Sequence, residues 1–282
     1  MLYPDAKTWR SAARKSVMFF GMSGLGKTHV SKMLVQQGGW FHYSIDYRIG
    51  TAGMYGHIKD NLIRHAMREP FLAQMLRADA MYLEPNVHDH DLTAVASYLG
   101  KPGNPARGGL PMTEYTRRQD QFRTAEIAAL RDTPVFLARA RDLYGYAHFI
   151  CDTGGSICEW IDPDDAHDPL LSELSQHCLP VWIKGDDAHA QELIRRFDRA
   201  PKPMAYQPAF LARVWAQYLS ENNIQEDEVD PDTFIRWTYA QALAHRQPRY
   251  AAMAEYGVTV TAEEMHAVTT SEEFDDLIAA KL

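Results

Sequence analysis

Gly21-Met22-Ser23-Gly24-Leu25-Gly26-Lys27-Thr28 fills every fixed position of the pattern G-x-x-x-x-G-K-[ST]. The pattern carries weight only when it lies between a buried strand and a helix. Upstream stands Ser16-Val17-Met18-Phe19-Phe20, an apolar run of strand length and β-forming composition. Downstream, Val30, Met33 and Leu34 share one helical face, and Gly38-Gly39 supplies the stop that helix C-termini prefer. Strand, loop and helix follow in the required order.

Glycines let such a loop curl so that successive backbone N–H groups point at phosphate oxygens, and the helix that follows adds the positive end of its dipole. Lys27 is expected to bridge the outer phosphates and Thr28 to offer its hydroxyl to magnesium. The expected nucleotide-contacting set is therefore Gly21, Ser23, Gly24, Leu25, Gly26, Lys27, Thr28 and His29, with ATP and Mg2+ as the ligands.

The 282-residue chain is 46% hydrophobic, enough for a sizeable core in one large domain or two ordinary ones. A net charge of −8 argues against broad electrostatic binding to nucleic acid or to an anionic membrane. No apolar run reaches membrane-spanning length, and the first residues, with Asp5, Lys7, Arg10, Arg14 and Lys15, lack a signal-peptide core, so a cytoplasmic protein is expected. Cys151, Cys158 and Cys178 form no C-x-x-C pair and read as reduced packing residues.

Along the chain, Trp40-Phe41-His42-Tyr43-Ser44-Ile45-Asp46 reads as a second strand with Asp46 at its tip. Asp46 there could serve as a general base or a magnesium partner, or simply cap a turn before Tyr47-Arg48. Residues 56–83 read as helical and mostly core, with Leu62, Ile63, Ala66 and Met67, then Phe71, Leu72, Met75 and Leu76 after Pro70. His88-Asp89-His90-Asp91 offers metal-ligand chemistry, though Asp91 also suits a helix N-cap. Residues 100–111, rich in Gly and Pro, must be a loop, either a lid bringing Lys101 and Arg107 to an anion or a plain surface excursion. In the helix at 113–130, Tyr115, Phe122, Ala125 and Ala129 form the buried face, and Arg123 with Glu126 has the spacing of an exposed ion pair.

A further helix, at 134–143, precedes His148-Phe149-Ile150-Cys151-Asp152-Thr153-Gly154-Gly155-Ser156, which has the form of a Walker B strand and a glycine turn. Asp152 is the expected magnesium partner of Thr28, and Gly154-Gly155 permits close approach to a ligand. Leu179-Pro180-Val181-Trp182-Ile183-Lys184 is the next strand, with Asp186 or Asp187 capping a helix. Arg195, Arg196 and Arg199 near that helix's end suit its dipole or a lid over the transferring phosphoryl group. Helices at 208–222 and 231–245, a strand at 256–260 and a capping box at Thr261-Ala262-Glu263-Glu264 complete the chain. Five strands separated by helices predict a doubly wound α/β domain.

In order and chemistry these landmarks resemble shikimate kinase and its small-molecule kinase relatives. The matching pieces are the 21–28 loop, Asp46, Phe122-Arg123-Thr124-Ala125-Glu126, Asp152-Thr153-Gly154-Gly155-Ser156, Arg195 or Arg196, and Arg249-Tyr250 before the last strand. The resemblance implies a single P-loop NTPase domain over 1–282, three-layer α/β/α with a five-stranded, mainly parallel sheet. It implies an ATP-dependent kinase in which Asp46 sits near the acceptor hydroxyl, Arg48, Arg123, Gly154 and Gly155 meet a small anionic acceptor, and Arg195 or Arg196 closes over ATP. The chain departs from the family in inserted helical segments at about 56–112 and 203–245 and in a turn with two glycines instead of three. Those insertions leave open a larger acceptor such as a nucleoside, a sugar acid or a group on a macromolecule, a toxin-like kinase of nucleotide sugars, and an ATPase switch that engages a protein partner.

Overall fold

The computed structural model describes residues 2–88, 92–162, 165 and 167–282. Five short strands form one sheet: β1 (Ser16–Phe20), β2 (Trp40–Ser44), β3 (His148–Asp152), β4 (Leu179–Lys184) and β5 (Val258–Thr261). Their spatial order is β2-β3-β1-β4-β5, and every pairing is parallel. Parallel neighbours need long crossovers, which explains why helices occupy each connection. All five residues of β1 are buried, so the centre of the sheet is covered on both faces.

The helices run α1 (Ala6–Ser11), α2 (Lys27–Gln37), α3 (Ile45–Arg48), α4 (Tyr55–Ala66), α5 (Pro70–Arg77), α6 (Thr93–Leu99), α7 (Met112–Arg131) and α8 (Thr133–Asp142). Then follow α9 (Pro169–His177), α10 (Asp187–Arg199), α11 (Pro208–Asn222), α12 (Pro231–Ala254), α13 (Ala262–Ala267) and α14 (Ser271–Lys281). Among the described residues no helix is long and apolar enough to cross a membrane. The three cysteines are free and buried.

The topology positions the site. From β1 the chain crosses to β2 on one side, whereas from β3 it crosses to β4 on the other. The adjacent strands β1 and β3 thus flank the point where the winding reverses, and the loops leaving their C-terminal ends border a crevice there. Those loops carry residues 21–26 and 153–156.

Three expectations need correction. The second strand stops at Ser44, whose hydroxyl accepts from the Tyr47 N–H, so Asp46 stands in the helical turn α3 and not on the strand. The segment 55–77 is helical but mostly not core: Phe71 is 63% exposed and Leu62 39%, and only Ile58 and Ala73 are fully buried. Helical spacing marks an apolar face without supplying anything to cover it. The helix expected at 231–245, α12, runs on to Ala254 with Pro248 inside it. The metal reading of 88–91 falls largely on residues 89–91, which lie outside the described residues.

Candidate functional site

The loop between β1 and α2 is held by close packing against β4. Gly21 has φ +135°, and a Cβ there would stand 2.5 Å from the Ile183 carbonyl oxygen, so only glycine fits. Lys27 is nearly buried, and its Nζ donates to the carbonyls of Gly21 at 2.9 Å and Met22 at 2.8 Å. One residue on, Thr28 Oγ1 donates to Asp152 Oδ2 at 3.2 Å. Asp152 closes β3, where the register sets it beside Phe19 of β1 and Ser44 of β2. His42 Nε2 reaches the same Asp152 oxygen at 3.2 Å.

These groups wall a cavity of about 420 Å³ together with Ser23, Gly24, Gly26, His29, Ser44, Asp46, Gly154, Gly155 and His266. Asp46 enters it from α3 and lies against the Gly154 backbone: a Cβ on Gly154 would come within 2.6 Å of Asp46 Oδ1. Burial and the nearby charge of Asp152 push the Asp46 carboxyl up to about 6, and Lys27 partly offsets them. Burial likewise lowers the Lys27 ammonium, while Asp152 and Asp46 oppose that shift. One cation and two carboxylates therefore share a partly dehydrated space, the setting in which charge is most easily redistributed by a ligand.

The turn after β3 is fixed from behind. Thr153 Oγ1 donates to the Phe19 carbonyl at 2.8 Å, and the Tyr250 hydroxyl donates to the Gly155 carbonyl. Ser156 Oγ donates to the Glu126 carboxylate at 2.9 and 2.8 Å, and Trp160 Nε1 donates to it at 2.7 Å. Glu126 is fully buried, which pushes its carboxyl up to about 7 against the pull of the Trp160 N–H. This corrects the expected Arg123–Glu126 pair. Glu126 shares the buried face of α7 with Phe122 and Ala129 and points inward, whereas Arg123 pairs with Asp120 at 3.2 Å.

A second buried cation approaches from α12. Arg246 Nε donates to Glu159 Oε1 at 2.6 Å and its Nη2 to the Ala205 carbonyl at 2.7 Å. Its Nη1 lies 3.8 Å from the position a Cβ on Gly155 would take. Burial alone would raise the Glu159 carboxyl, but the Arg246 charge and hydrogen bonds from His245 and Arg246 outweigh it and hold it low. Arg246 stands four residues before Tyr250 and three before Arg249, so the arginine that reaches the turn lies one helical turn upstream of the Arg249-Tyr250 pair. Arg249 itself donates to the carbonyls of Cys158 and Ile161.

Other expected residues lie elsewhere. Arg195 and Arg196 both pair with Glu192 on the exposed face of α10, and neither walls the cavity. Arg48 forks onto Asp132 at 2.9 and 2.7 Å and borders a neighbouring cavity with Tyr47 and Phe136. Leu25 is buried beneath the loop. Lys101 and Arg107 pair with Asp232 and Asp230 at the start of α12. His42, Ser44, Thr153 and His266 wall the cavity without having been singled out in the sequence: they come from β2, the turn after β3 and α13, and carry no motif.

Among the described residues no cluster of three or more His, Cys, Asp or Glu side chains is arranged to hold a metal ion. The Thr28 and Asp152 oxygens nevertheless suit magnesium, which takes oxygen ligands and keeps most of its remaining positions for water and phosphate. No family model, curated protein or solved structure matches the chain.

Proposed function

We infer that the chain adopts the three-layer P-loop NTPase fold and is an ATP-dependent kinase, transferring the γ-phosphoryl group to a hydroxyl of a small, anionic acceptor. The observation that carries this reading is the convergence of Lys27, Thr28, Asp152 and Asp46 on one cavity, with the two loops at the winding reversal as its walls. Lys27 neutralises the outer phosphates, for which it exchanges its bonds to Gly21 and Met22. Thr28 and Asp152 would hold magnesium, whose charge offsets that of the β- and γ-phosphate oxygens.

Asp46 is the base. As the acceptor oxygen forms its bond to the γ-phosphorus and the bond to the bridging β–γ oxygen breaks, the hydroxyl proton passes to the Asp46 carboxylate and ADP departs. A carboxyl raised toward neutrality is a stronger base than an ordinary one, which favours this role. Arg246, paired with Glu159 behind Gly155, braces the glycine turn on the acceptor side, a place that Arg123, Arg195 and Arg196 do not reach.

A nucleotide switch needs neither a base nor an open space beside it, and Asp46 stands at the wall of an open cavity. Calorimetry with ATP and magnesium, followed by a metabolite screen for Lys27-dependent ATP consumption, tests the proposal. Binding that Lys27→Ala leaves untouched would sink the nucleotide reading; Lys27-dependent hydrolysis with no phosphorylated product would favour the switch.

A further inference from the structure

A second cavity, of about 250 Å³, opens between α7 and α11, away from the phosphate loop. Its inner walls are Trp160, Tyr206, Leu211 and Trp215. At its rim stand Asp120 and Arg123, one helical turn apart on α7 and paired at 3.2 Å, both about half exposed. We propose that this cavity is a binding site for a free apolar α-amino acid such as leucine or phenylalanine.

The walls favour an apolar group because both indole N–H groups and the one amide among them are already engaged. Trp160 Nε1 donates to Glu126, and Trp215 Nε1 donates to Glu226 at 3.3 Å. The Gln119 amide donates to the Met204 carbonyl and accepts from the Tyr206 N–H. What remains facing inward is mainly ring face and aliphatic surface, which a hydrocarbon side chain covers and a polar one does not, while the Tyr206 hydroxyl is buried with no hydrogen-bond partner among the described residues. The volume lies below the usual range for drug-sized ligands and suits one side chain.

The rim selects the head group. An exposed pair three residues apart on a helix is weak and easily exchanged. A carboxylate can take the Arg123 fork in two parallel hydrogen bonds, and an ammonium on the adjoining carbon can take Asp120. One cation and one anion at neighbouring rim positions match a zwitterion better than either charge alone.

Calorimetry on the full chain at neutral pH, with tryptophan fluorescence as the second readout, provides the test. Leucine and phenylalanine are expected to bind one per chain, and 4-methylpentanoate and 3-methylbutylamine about ten-fold more weakly or less tightly still, since each lacks one charged partner. Arg123→Gln and Asp120→Asn are both exposed changes that leave the core intact, and each should weaken leucine by about the same factor. Ala212→Trp, on the cavity wall, should block binding, while saturating ATP should not compete. The proposal is overturned if neither amino acid binds, if either one-charge analogue binds as tightly as leucine, if leucine binding survives both rim substitutions and Ala212→Trp, or if ATP displaces it.

Discussion

Thr28 Oγ1 donates to Asp152 Oδ2 at 3.2 Å, joining the first turn of α2 to the tip of β3 across 124 residues of sequence. Neither residue is useful for a divalent cation alone, and together they present two adjacent oxygens to the same cavity. Asp152→Asn is expected to lower ATP affinity in magnesium by about ten-fold or more, to the level the wild type shows in EDTA. Calorimetry with and without the metal reads this directly, and a variant that keeps its full magnesium dependence would remove Asp152 from the role.

Asp46 and Gly154 are tested as a pair. Asp46→Asn should cut transfer by roughly 10²–10⁴-fold with nucleotide affinity retained, since it removes only the proton acceptor. Gly154→Ala puts a methyl group within 2.6 Å of Asp46 Oδ1, and a displaced base should cost roughly 10²-fold in turnover. Steady-state rates set beside nucleotide affinities separate these effects from loss of binding.

The buried and exposed arginines should behave oppositely. Arg246→Met takes its closest cation from buried Glu159, leaving it the Gln207 N–H and His245, and should cost about 3 kcal/mol in stability, the low end for breaking a buried pair. Arg195→Ala and Arg196→Ala remove exposed partners of Glu192 and should leave both melting temperature and nucleotide affinity unchanged. Loss of ATP affinity in either of the latter would restore the lid role to α10.

Glu126 sets a pH dependence. Its carboxyl is raised from an ordinary 4.5 to about 7 in the folded chain. Below the lower value it is protonated in both states. Between the two, only the folded state keeps the proton, so its contribution to stability is lost as pH rises, by about 3 kcal/mol in total. Calorimetric melting across pH 4 to 8 should therefore show the wild type declining relative to Glu126→Gln over this window. A pH-independent difference between the two would mean that Glu126 is ionised throughout.

Much of the sheet was legible because strand signals are local. Ser16–Phe20 and Leu179–Lys184 are apolar runs with clear ends, and the capping box from Thr261 to Glu264 forms as its spacing requires. Lys27, Thr28 and Asp152 were legible for a related reason, since their positions follow from a motif and a strand tip. What could not be read were partnerships across sequence. Arg246 is a buried cation only because Glu159, 87 residues earlier, meets it, and periodicity alone treats both as surface. Helix spacing sets Glu126 beside Arg123 because it reports who is adjacent on the helix, and not that Ser156 and Trp160 arrive from another segment. The apolar faces of α4 and α5 show the same limit: Phe71 and Leu62 have core spacing and are exposed.

The ion pairs from Lys101 to Asp232 and from Arg107 to Asp230 take on a mechanical meaning once α12 is followed to its other end. From Asp232 to Arg246 the helix is continuous and free of proline, a stiff rod about 21 Å long. The 100–111 loop grips one end of it, and the guanidinium beside Gly155 rides near the other. The helix thus fixes the distance between a surface loop and the turn behind the cavity, as a strut would.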